Sequence, residues 1–394
     1  MKENKMRKKF RDRVLNRDTI FVAAVLIISI CLFLFTGQKK EEGSTPVMAR
    51  VVQMEDHTNM IGLIRMGKQK VTARILSRDY QGQEITMVNN LIGYILIDRY
   101  VKVGDKALFM LDIENGKIQR AKLVDYDRQS WQLIMLVIFA GLLILFARYT
   151  GVKAFVSFIF TVVVLLKIVL PSVLKGYDPL FVCASAAILF GTVTLLLVGG
   201  FSIRAFAGII GLIIGLILST GLTVLFSESM DLRGMTCEYA IFLLQSGYGG
   251  IDLTRILVGS IILGSSGAMV DITIDVATAV REVAKANPAL SAWRLIHSGF
   301  EVGRAALGTM VTTLLLAYFG VSIFLVLMFA AKDTSLTRFL NIQVVSHEIL
   351  RTLAGSIGMV MIAPITAVIA GLLYHRAYGS PIKIATNPEV KGNN

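Results

Sequence analysis

Long apolar stretches constrain the fold of this chain more than any other feature of its sequence. Several of them reach the ~20 residues that an α-helix needs to cross the hydrocarbon core of a bilayer. The 394 residues are 55% hydrophobic and 17% charged, whereas soluble domains contain about 25% charged residues. The seven prolines and the many glycines, often inside apolar runs, also fit helices packed in lipid. The sequence therefore predicts a polytopic α-helical membrane protein.

The apolar runs predict eight transmembrane helices. Their approximate positions are 20–36, 131–149, 152–174, 179–200, 205–226, 255–280, 307–330 and 352–376. The first run could be taken for a signal peptide, but the TGQKKEEGSTP that follows it has no clear cleavage site, so an uncleaved signal anchor is predicted. The predicted domains are a basic cytoplasmic tail, the anchor, an extracytoplasmic domain, a seven-helix membrane domain and a second cytoplasmic tail, at 1–19, 20–36, 37–130, 131–376 and 377–394.

The distribution of positive charge predicts the orientation of these helices. Residues 1–18 contain eight Lys/Arg and three acidic residues, and a basic block directly before an apolar run more often sets membrane orientation than binds nucleic acid. With the N-terminus inside, every predicted cytoplasmic segment has a net positive charge, while the three short outer loops nearly balance. Both termini are therefore predicted to be cytoplasmic, and no nucleic-acid partner is predicted.

Residues 37–130 form the one large predicted extramembrane segment, and their pattern is that of short β-strands. The runs VTARIL, EITMV and YILI are rich in strand-forming residues, and turn signals occur at Val103-Gly104-Asp105 and Asn115-Gly116. Asn-Gly between apolar runs is a strong hairpin signal. The segment is thus predicted to be a small barrel or sandwich. It is either a module that binds a ligand or partner, or a structural lid on the membrane domain.

Two acidic residues interrupt the sixth predicted span, within GAMVDITIDVATAVREV at 267–283. Asp271 and Asp275 are one helical turn apart and share a helix face, with Cβ atoms ~6 Å apart; Thr278 and Glu282 continue this stripe. An ionised Asp at the bilayer centre costs about 2.5–3.5 kcal/mol on insertion scales. The pair is therefore expected to hold a proton, a cation or an Arg/Lys partner, and to face the bundle interior or a watery cavity.

Two hypotheses for this acidic stripe remain open. In the first, its four residues form a proton or ion relay, because intramembrane acids are common in such pathways. In the second, the acids form buried ion pairs that fix helix packing, and Arg304 and Lys167 are the candidate charge partners. Arg304 is the more attractive of the two because the sixth and seventh spans join on the cytoplasmic side.

Other residues within the apolar runs indicate helix packing. Gly211 and Gly215 form a G-x-x-x-G in the fifth span, which favours close helix packing inside the chain over dimerisation. Pro364 lies inside the last span and is expected to kink it, because proline removes one helical hydrogen bond.

No catalytic, metal or cofactor site is predicted. Three cysteines are isolated from one another, which supports neither a disulfide framework nor a metal site. His347-Glu348 begins like the H-E-x-x-H of zinc proteases, but position 351 is Arg, so the second ligand is missing. A local Glu348–Arg351 helix pair is the simpler explanation. The chain is therefore not predicted to be an enzyme.

Four segments of the sequence resemble the YibE/F-like family of bacterial multi-span membrane proteins. They are DYDRQSWQLIMLVIF (125–139), LGSSGAMVDITIDVATAVRE (263–282), SGFEVGRAALGTMVTTLLLAYFG (298–320) and HEILRTLAGSIGMVMIAPITA (347–367). The resemblance covers about residues 45–375. It implies a permease-like protein of the bacterial cell membrane that works with a second membrane protein or with further copies of itself.

A weaker similarity links the chain to SecD/SecF and RND-type proton-driven membrane proteins. The comparable residues are Asp271, Asp275, Arg281-Glu282, Arg304 and Thr312-Thr313. In that superfamily the intramembrane acids relay protons, although this chain departs from it in having eight predicted spans and a small outer domain. The similarity implies a proton relay on the sixth span.

These observations lead to one predicted function and one alternative. The prediction is a permease-like transport or translocation protein coupled to proton or cation movement through the sixth span. The alternative is a non-transporting scaffold or sensor whose extracytoplasmic domain binds a ligand or partner protein. The predicted partners are the lipid bilayer, a proton or small cation, and a second membrane protein or another copy of the chain.

Overall fold

The computed structural model of the chain describes residues 2–35, 44–62, 64–77, 80–94, 98–114, 117–234, 238–332 and 334–378. The chain divides into two compact units, Gly37–Phe146 and the combination of Met1–Thr36 with Ala147–Asn394. The first unit contains an antiparallel sheet, and the second is helical. The outer domain was predicted to end at residue 130, whereas the unit that contains the sheet also includes the first part of the following helix.

The sheet has five antiparallel strands in the order β3-β2-β1-β4-β5. They are β1 (Ser44–Ile61), β2 (Ile64–Ile75), β3 (Glu84–Ile92), β4 (Lys106–Glu114) and β5 (Lys117–Tyr126). Every second residue of β4 from Ala107 to Leu111 is buried in the core of this unit, because successive side chains of a strand point to opposite faces. The edge strands β3 and β5 contact each other, so the unit is one curled sheet and not a two-sheet sandwich.

Most strand and turn predictions for this unit are confirmed. VTARI lies in β2 and EITMV begins β3. The turn predicted at residues 103–105 is present, and the backbone N–H of Gly104 donates to the carbonyl of Val51 at 2.9 Å. The run YILI instead follows the end of β3: Tyr94 is not in a strand, and residues 95–97 lie outside the described part of the chain. The predicted Asn115-Gly116 turn also lies outside it.

All the other regular elements among the described residues are helical. They are α1 (Lys2–Phe35), α2 (Gln129–Val164), α3 (Leu170–Leu174), α4 (Pro179–Gly199), α5 (Ile203–Ser229), α6 (Glu238–Gln245), α7 (Leu253–Ala286), α8 (Ala292–Val321), α9 (Ile323–Ala330), α10 (Leu336–Leu340) and α11 (Gln343–Tyr378). A π-helical turn, Leu165–Val169, joins α2 to α3. Within the described residues, seven helical stretches are long and apolar enough to cross a membrane: α1, α2 with α3, α4, α5, α7, α8 and α11.

The structure differs from the eight predicted spans between residues 129 and 174. The second and third predicted spans form one helical stretch of 46 residues, Gln129–Leu174. This stretch is interrupted at Arg148, whose φ of 50° and ψ of −126° are not helical. A positive φ is unfavourable for a residue that carries a Cβ. The backbone therefore departs from the helix at the end of the second predicted span, two residues before the predicted turn at 150–151.

Helix ends differ from the predictions at three further places. The basic tail is continuous with α1, which begins at Lys2. The seventh span was predicted at 307–330, whereas α8 covers Ala292–Val321 and α9 follows after Ser322. The earlier start has a packing reason: a Cβ on Gly299 would lie 2.7 Å from the Cβ of Ala367 in α11. Most of the predicted C-terminal tail, residues 379–394, lies outside the described residues.

The core of the helical unit is built from α5, α7 and α11, with α4 and α8 against them. Small residues allow these helices to approach closely. A Cβ on Gly358 of α11, for example, would lie 2.3 Å from the methyl carbon of Met269 in α7. Because α7 contacts α4, α5, α8 and α11, most of its surface is buried. Only one stripe of α7 is left exposed.

Candidate functional site

The exposed stripe of α7 carries the two acidic residues predicted from the sequence. Asp252 caps the start of the helix, and its side chain accepts a hydrogen bond from the backbone N–H of Arg255 at 3.0 Å. From there α7 runs unbroken to Ala286. Asp271 and Asp275 are exposed, and Gly264 and Gly267 continue the stripe towards the N-terminus of the helix. The polar residues of the stripe thus lie beside glycines that leave space around them.

The residues on either side of the stripe explain why it points outwards. Ile272 and Val276 are fully buried in the main core cluster, and Thr273 is buried with its hydroxyl donating to the carbonyl of Val270 at 2.8 Å. A helix rotation that buried the two aspartates would expose this apolar face. Close packing of this face against the neighbouring helices therefore fixes the rotation of α7 and leaves the carboxylates on the open side.

Asp271 borders a groove of about 320 Å³ between α2, α4 and α7. Its lining combines apolar side chains with hydroxyl groups and glycines: Thr161, Leu165, Phe190, Gly191, Thr194, Leu263, Gly264, Ser266, Gly267, Val270 and Asp271. The volume is sufficient for several water molecules, whose share of liquid volume is ~30 Å³ each. The sequence predicted that Asp271 faces the bundle interior or a watery cavity. In the structure it borders a groove at the surface of the helical unit.

Hydroxyl groups connect two of the helices that form this groove. The Ser157 Oγ and Thr194 Oγ1 atoms are 2.7 Å apart, and the Thr161 hydroxyl donates to the Ser157 carbonyl at 3.0 Å. Ser157 is itself buried. A polar path thus crosses from α2 to α4 within the apolar packing, beside the helix that carries Asp271.

The candidate charge partners of the aspartates lie elsewhere. The Arg304 guanidinium is 2.8 Å from the Glu301 carboxylate, one turn earlier on α8. The Lys167 ammonium lies over the Phe33 ring, 5.4 Å from its centroid. Within the described part of the chain, neither Asp271 nor Asp275 has an ion-pair or hydrogen-bond partner. The structure therefore does not bring together the two charge pairs that the buried-pair hypothesis requires.

Near the C-terminus of α7, the predicted stripe ends in a network of ion pairs at the surface. Glu282 is exposed, and its carboxylate lies 3.4 Å from the Lys285 ammonium and 3.7 Å from the Arg281 guanidinium. Thr278 is half-buried between Asp275 and Glu282 on the same side of the helix. Glu282 is thus held by neighbours on its own helix, whereas the two aspartates are not.

The residues predicted to pack or kink helices lie at a distance from this groove, in the core formed by α5 and α11. A Cβ on Gly211 would lie 2.3 Å from Thr366 Oγ1, and one on Gly215 would lie 2.6 Å from Ile362 Cδ1. Both glycines thus face α11 of the same chain. Pro364 lies inside α11, which continues through it to Tyr378.

A second polar cluster lies on α11 and α8. The predicted Glu348–Arg351 helix pair is confirmed, with Arg351 Nη1 3.0 Å from Glu348 Oε1. The Arg351 guanidinium also lies over the Tyr318 ring, 5.9 Å from its centroid. Within the described residues, no group of three His, Cys, Asp or Glu side chains is placed to hold a metal ion.

The sequence did not predict the groove residues on α2 and α4. Thr161 and Thr194 are far from Asp271 along the chain, and single hydroxyl residues are common in apolar helices. The one local signal is the spacing of Gly264 and Gly267, seven and four positions before Asp271. At that spacing the glycines lie on the same helix face as the acid.

Comparison with known proteins identifies one family. Residues 135–376, more than half of the chain, match the family described as YibE/F-like protein. This range covers the groove, the acidic stripe and nearly all of α11. Neither the curated proteins nor the solved structures give a significant match.

Proposed function

The chain belongs to the YibE/F-like family, and from this premise we propose that it is a permease-like membrane protein driven by protons that bind Asp271 and Asp275. The observation that carries the proposal is the position of the two carboxylates. They lie one turn apart on an exposed stripe of an apolar helix, and no described residue neutralises them. Asp271 also borders an open groove. The proposed function includes no enzymatic reaction.

The lengths of the helices support a proposed topology of eight spans. The stretch Gln129–Leu174 has 46 residues and would be about 69 Å long as a straight helix, at 1.5 Å per residue. The hydrocarbon core is only ~30 Å thick, so one span of this length does not fit. The break at Arg148 divides it into two segments that are each long enough to cross. With this division both termini are cytoplasmic, in agreement with the excess of Lys/Arg in the inner segments.

The cost of charge in lipid supports a proton as the coupling ion. A carboxylate that faces lipid or a narrow groove is destabilised by several kcal/mol, and a bound proton removes its charge. A metal ion such as Ca²⁺ needs six or more oxygen ligands, and no group of three acidic, His or Cys side chains within the described residues is placed to supply them. The pair is therefore better suited to bind and release protons.

The open groove favours the relay over the alternative of a scaffold held by buried ion pairs. That alternative requires buried charge partners for the acids, whereas Asp271 and Asp275 are exposed and have no ion-pair partner among the described residues. The partner proposed for the open side of the groove is a second membrane protein or another copy of the chain.

Proton flux in proteoliposomes tests the proposal. Wild-type protein and the variants Asp271→Asn and Asp275→Asn are reconstituted with a pH-sensitive dye inside the vesicles, and flux is measured under an imposed membrane potential. The wild type is expected to conduct protons, and each variant is expected to lose most of this flux while remaining folded. The matched control Glu301→Gln removes an exposed carboxylate of α8 and is expected to keep it.

Two results would count against the proposal. Wild-type flux in both aspartate variants would show that the acids carry no protons. Loss of folded protein in both variants, with normal folding of the Glu301 control, would favour a structural role for the pair.

A further inference from the structure

One face of α2 carries polar side chains at a spacing of four residues. Lys153, Ser157 and Thr161 follow one another along the helix, and residues four apart lie on the same helix face. Lys153 and Ser157 are buried, whereas Thr161 lines the groove that Asp271 borders. At 1.5 Å per residue, this face extends for about 12 Å. A row of polar groups thus leads through the apolar packing to the groove.

An ion pair lies at one end of this polar face. The Lys153 ammonium is 2.9 Å from Asp18 Oδ2 on α1, and the two side chains are only 10% and 18% exposed. A Cβ on Gly200, directly after α4, would lie 3.3 Å from the same Asp18 oxygen. All three residues are at helix ends that the proposed topology places on the cytoplasmic side. The ion pair therefore marks the cytoplasmic end of the polar face.

The middle of the face is a pair of hydroxyl groups shared between two helices. Ser157 Oγ is 2.7 Å from Thr194 Oγ1 on α4, and either hydroxyl can be the donor. Thr223 and Ser265 are fully buried as well, but they donate to carbonyls of their own helices at 2.7 Å and 2.9 Å. A hydroxyl group both donates and accepts hydrogen bonds. The shared pair can therefore pass a proton from one helix to the other.

The groove lies at the other end of the polar face. Thr161 and Thr194 both line it, and its volume is sufficient for several water molecules. From Asp271 the groove extends along α7 to Leu263, in the direction that is outward in the proposed topology. The groove thus reaches Asp271 from the outer side, whereas the hydroxyl pair reaches the groove from the cytoplasmic side.

Protein encloses the hydroxyl pair. Val156, Phe160 and Phe190 are buried in one core cluster beside it. By contrast, Asp275 is exposed on the open side of α7. Charge is costly in hydrocarbon unless polar groups or water surround it. The enclosed hydroxyl groups are therefore favoured over the exposed stripe of α7 as the connection between Asp271 and the cytoplasm.

From this geometry we infer that Ser157 and Thr194 carry protons between Asp271 and the cytoplasm. The Ser157 oxygen accepts a proton from a hydronium ion at the cytoplasmic end while its own O–H proton passes to the Thr194 oxygen. Thr194 releases its original proton to water in the groove, and that water protonates the Asp271 carboxylate. Both hydroxyls end with one proton each, so one proton is transferred overall. The inference rests on the proposed proton relay and adds the route to it.

Removal of each hydroxyl group tests this route in the proteoliposome assay of proton flux. The variants are Ser157→Ala and Thr194→Val, and each is expected to lose most of the flux. The matched controls Ser265→Ala and Thr223→Val remove buried hydroxyls that bond within their own helices, and they are expected to keep it. The conservative exchange Thr194→Ser retains a hydroxyl at the same position and is also expected to keep the flux.

Modification of Asp271 by a hydrophobic carbodiimide separates a lost route from a damaged fold. Because the groove reaches Asp271 from the outer side, its modified fraction, measured by mass spectrometry, is expected to be unchanged in Ser157→Ala and Thr194→Val. Wild-type flux in both variants overturns the inference. An equal loss of flux in Thr194→Ser and Thr194→Val also overturns it, as does a loss that is accompanied by reduced modification of Asp271, because the effect is then structural.

The variant Asp271→Asn separates this inference from its premise. If this variant loses proton flux while Ser157→Ala and Thr194→Val keep it, the route alone is overturned. If Asp271→Asn keeps wild-type flux, the proposed relay at Asp271 and the route to it are overturned together.

Discussion

Asp125, at the end of β5, is held by an ion-pair network that makes this unit sensitive to acid. Its carboxylate is 2.8 Å from Arg99 Nε and 2.8 Å from Arg128 Nη1. Burial raises the pKa of Asp125, but the hydrogen bonds from Arg99, Arg128 and the backbone N–H of Tyr126 outweigh it and lower the pKa from 3.8 to about 2. Arg99 belongs to the segment between β3 and β4, so the pair joins that segment to β5.

The lowered pKa predicts the direction of a pH effect. Because the folded state binds the Asp125 proton less tightly than the unfolded state, the stabilisation is complete above pH 3.8 and is lost as the pH falls towards 2. Digestion of the full chain by pepsin between pH 5 and pH 2, normalised to an unfolded substrate, measures it. Cleavage of the segment around Arg99 is expected to accelerate at the acid end.

The variant Asp125→Asn provides the control for this effect. It is expected to be cleaved faster at pH 5 and to show a weaker dependence on pH. A variant with the same pH profile as the wild type would contradict the assignment to Asp125.

At the same scale, the acidic stripe could be predicted from the sequence but its surroundings could not. Asp271 and Asp275 share a face by helix geometry alone. Arg304 and Lys167 were expected to be their partners because of their charge and their position in the chain. In the structure Arg304 instead pairs with Glu301 on its own helix. Thr161 and Thr194 reach the groove through packing of α2 and α4, a tertiary arrangement that no local pattern specifies.

Among the elements, the contact between α5 and α11 depends on glycine. At Gly215 an added Cβ would lie 2.6 Å, 2.8 Å and 3.1 Å from three carbons of Ile362, including its Cβ. The side chain of Ile362 is fully buried in the main core cluster. The two helices therefore approach to a distance that only glycine permits.

The substitution Gly215→Ala is expected to reduce the free energy of unfolding by about 1–3 kcal/mol, the usual cost of overpacking a core. Unfolding of the detergent-solubilised protein in increasing denaturant measures this loss. The matched control is Gly221→Ala on the same helix, where no atom lies within 4 Å of the added carbon. The control should be neutral or slightly stabilising, since Ala favours helix over Gly. An equal loss in both variants would contradict a specific contact with α11.

The elements show where sequence patterns succeed and where they fail. Strands β2 and β3 were predicted because alternating residues and turns are local signals. The start of α8 was predicted too late because its first residues are polar and apolar in mixture, and their helical state depends on packing of Gly299 and Gly303 against α7 and α11. Hydropathy predicts where a helix meets lipid, not where it ends.

For the whole molecule, the number of spans determines which side each segment faces. Seven helical stretches in the described part of the chain are long and apolar enough to cross a membrane, and the proposed topology has eight spans because Arg148 divides the longest of them. An odd number of spans would place the two termini on opposite sides. Whether the chain turns back at Arg148 therefore decides the orientation of every later helix, including α7.

Cysteine labelling tests this topology. In a background without native cysteines, Arg148→Cys is expected to be protected from a membrane-impermeant maleimide in right-side-out vesicles and to react after permeabilisation. Asn90→Cys, exposed on β3, is the control and is expected to react from outside at once. Equal labelling of both positions in sealed vesicles would contradict the proposed eight spans.

The proposal that Asp271 and Asp275 exchange protons is tested most directly by chemical modification of the unmutated protein. A hydrophobic carbodiimide reacts with protonated carboxyl groups in apolar surroundings, and mass spectrometry measures the modified fraction at each aspartate. Proton flux is then measured in the same proteoliposomes. Flux is expected to fall in proportion to the fraction of protein modified at Asp271 or Asp275. Full modification of these residues with unchanged flux would contradict the proposal.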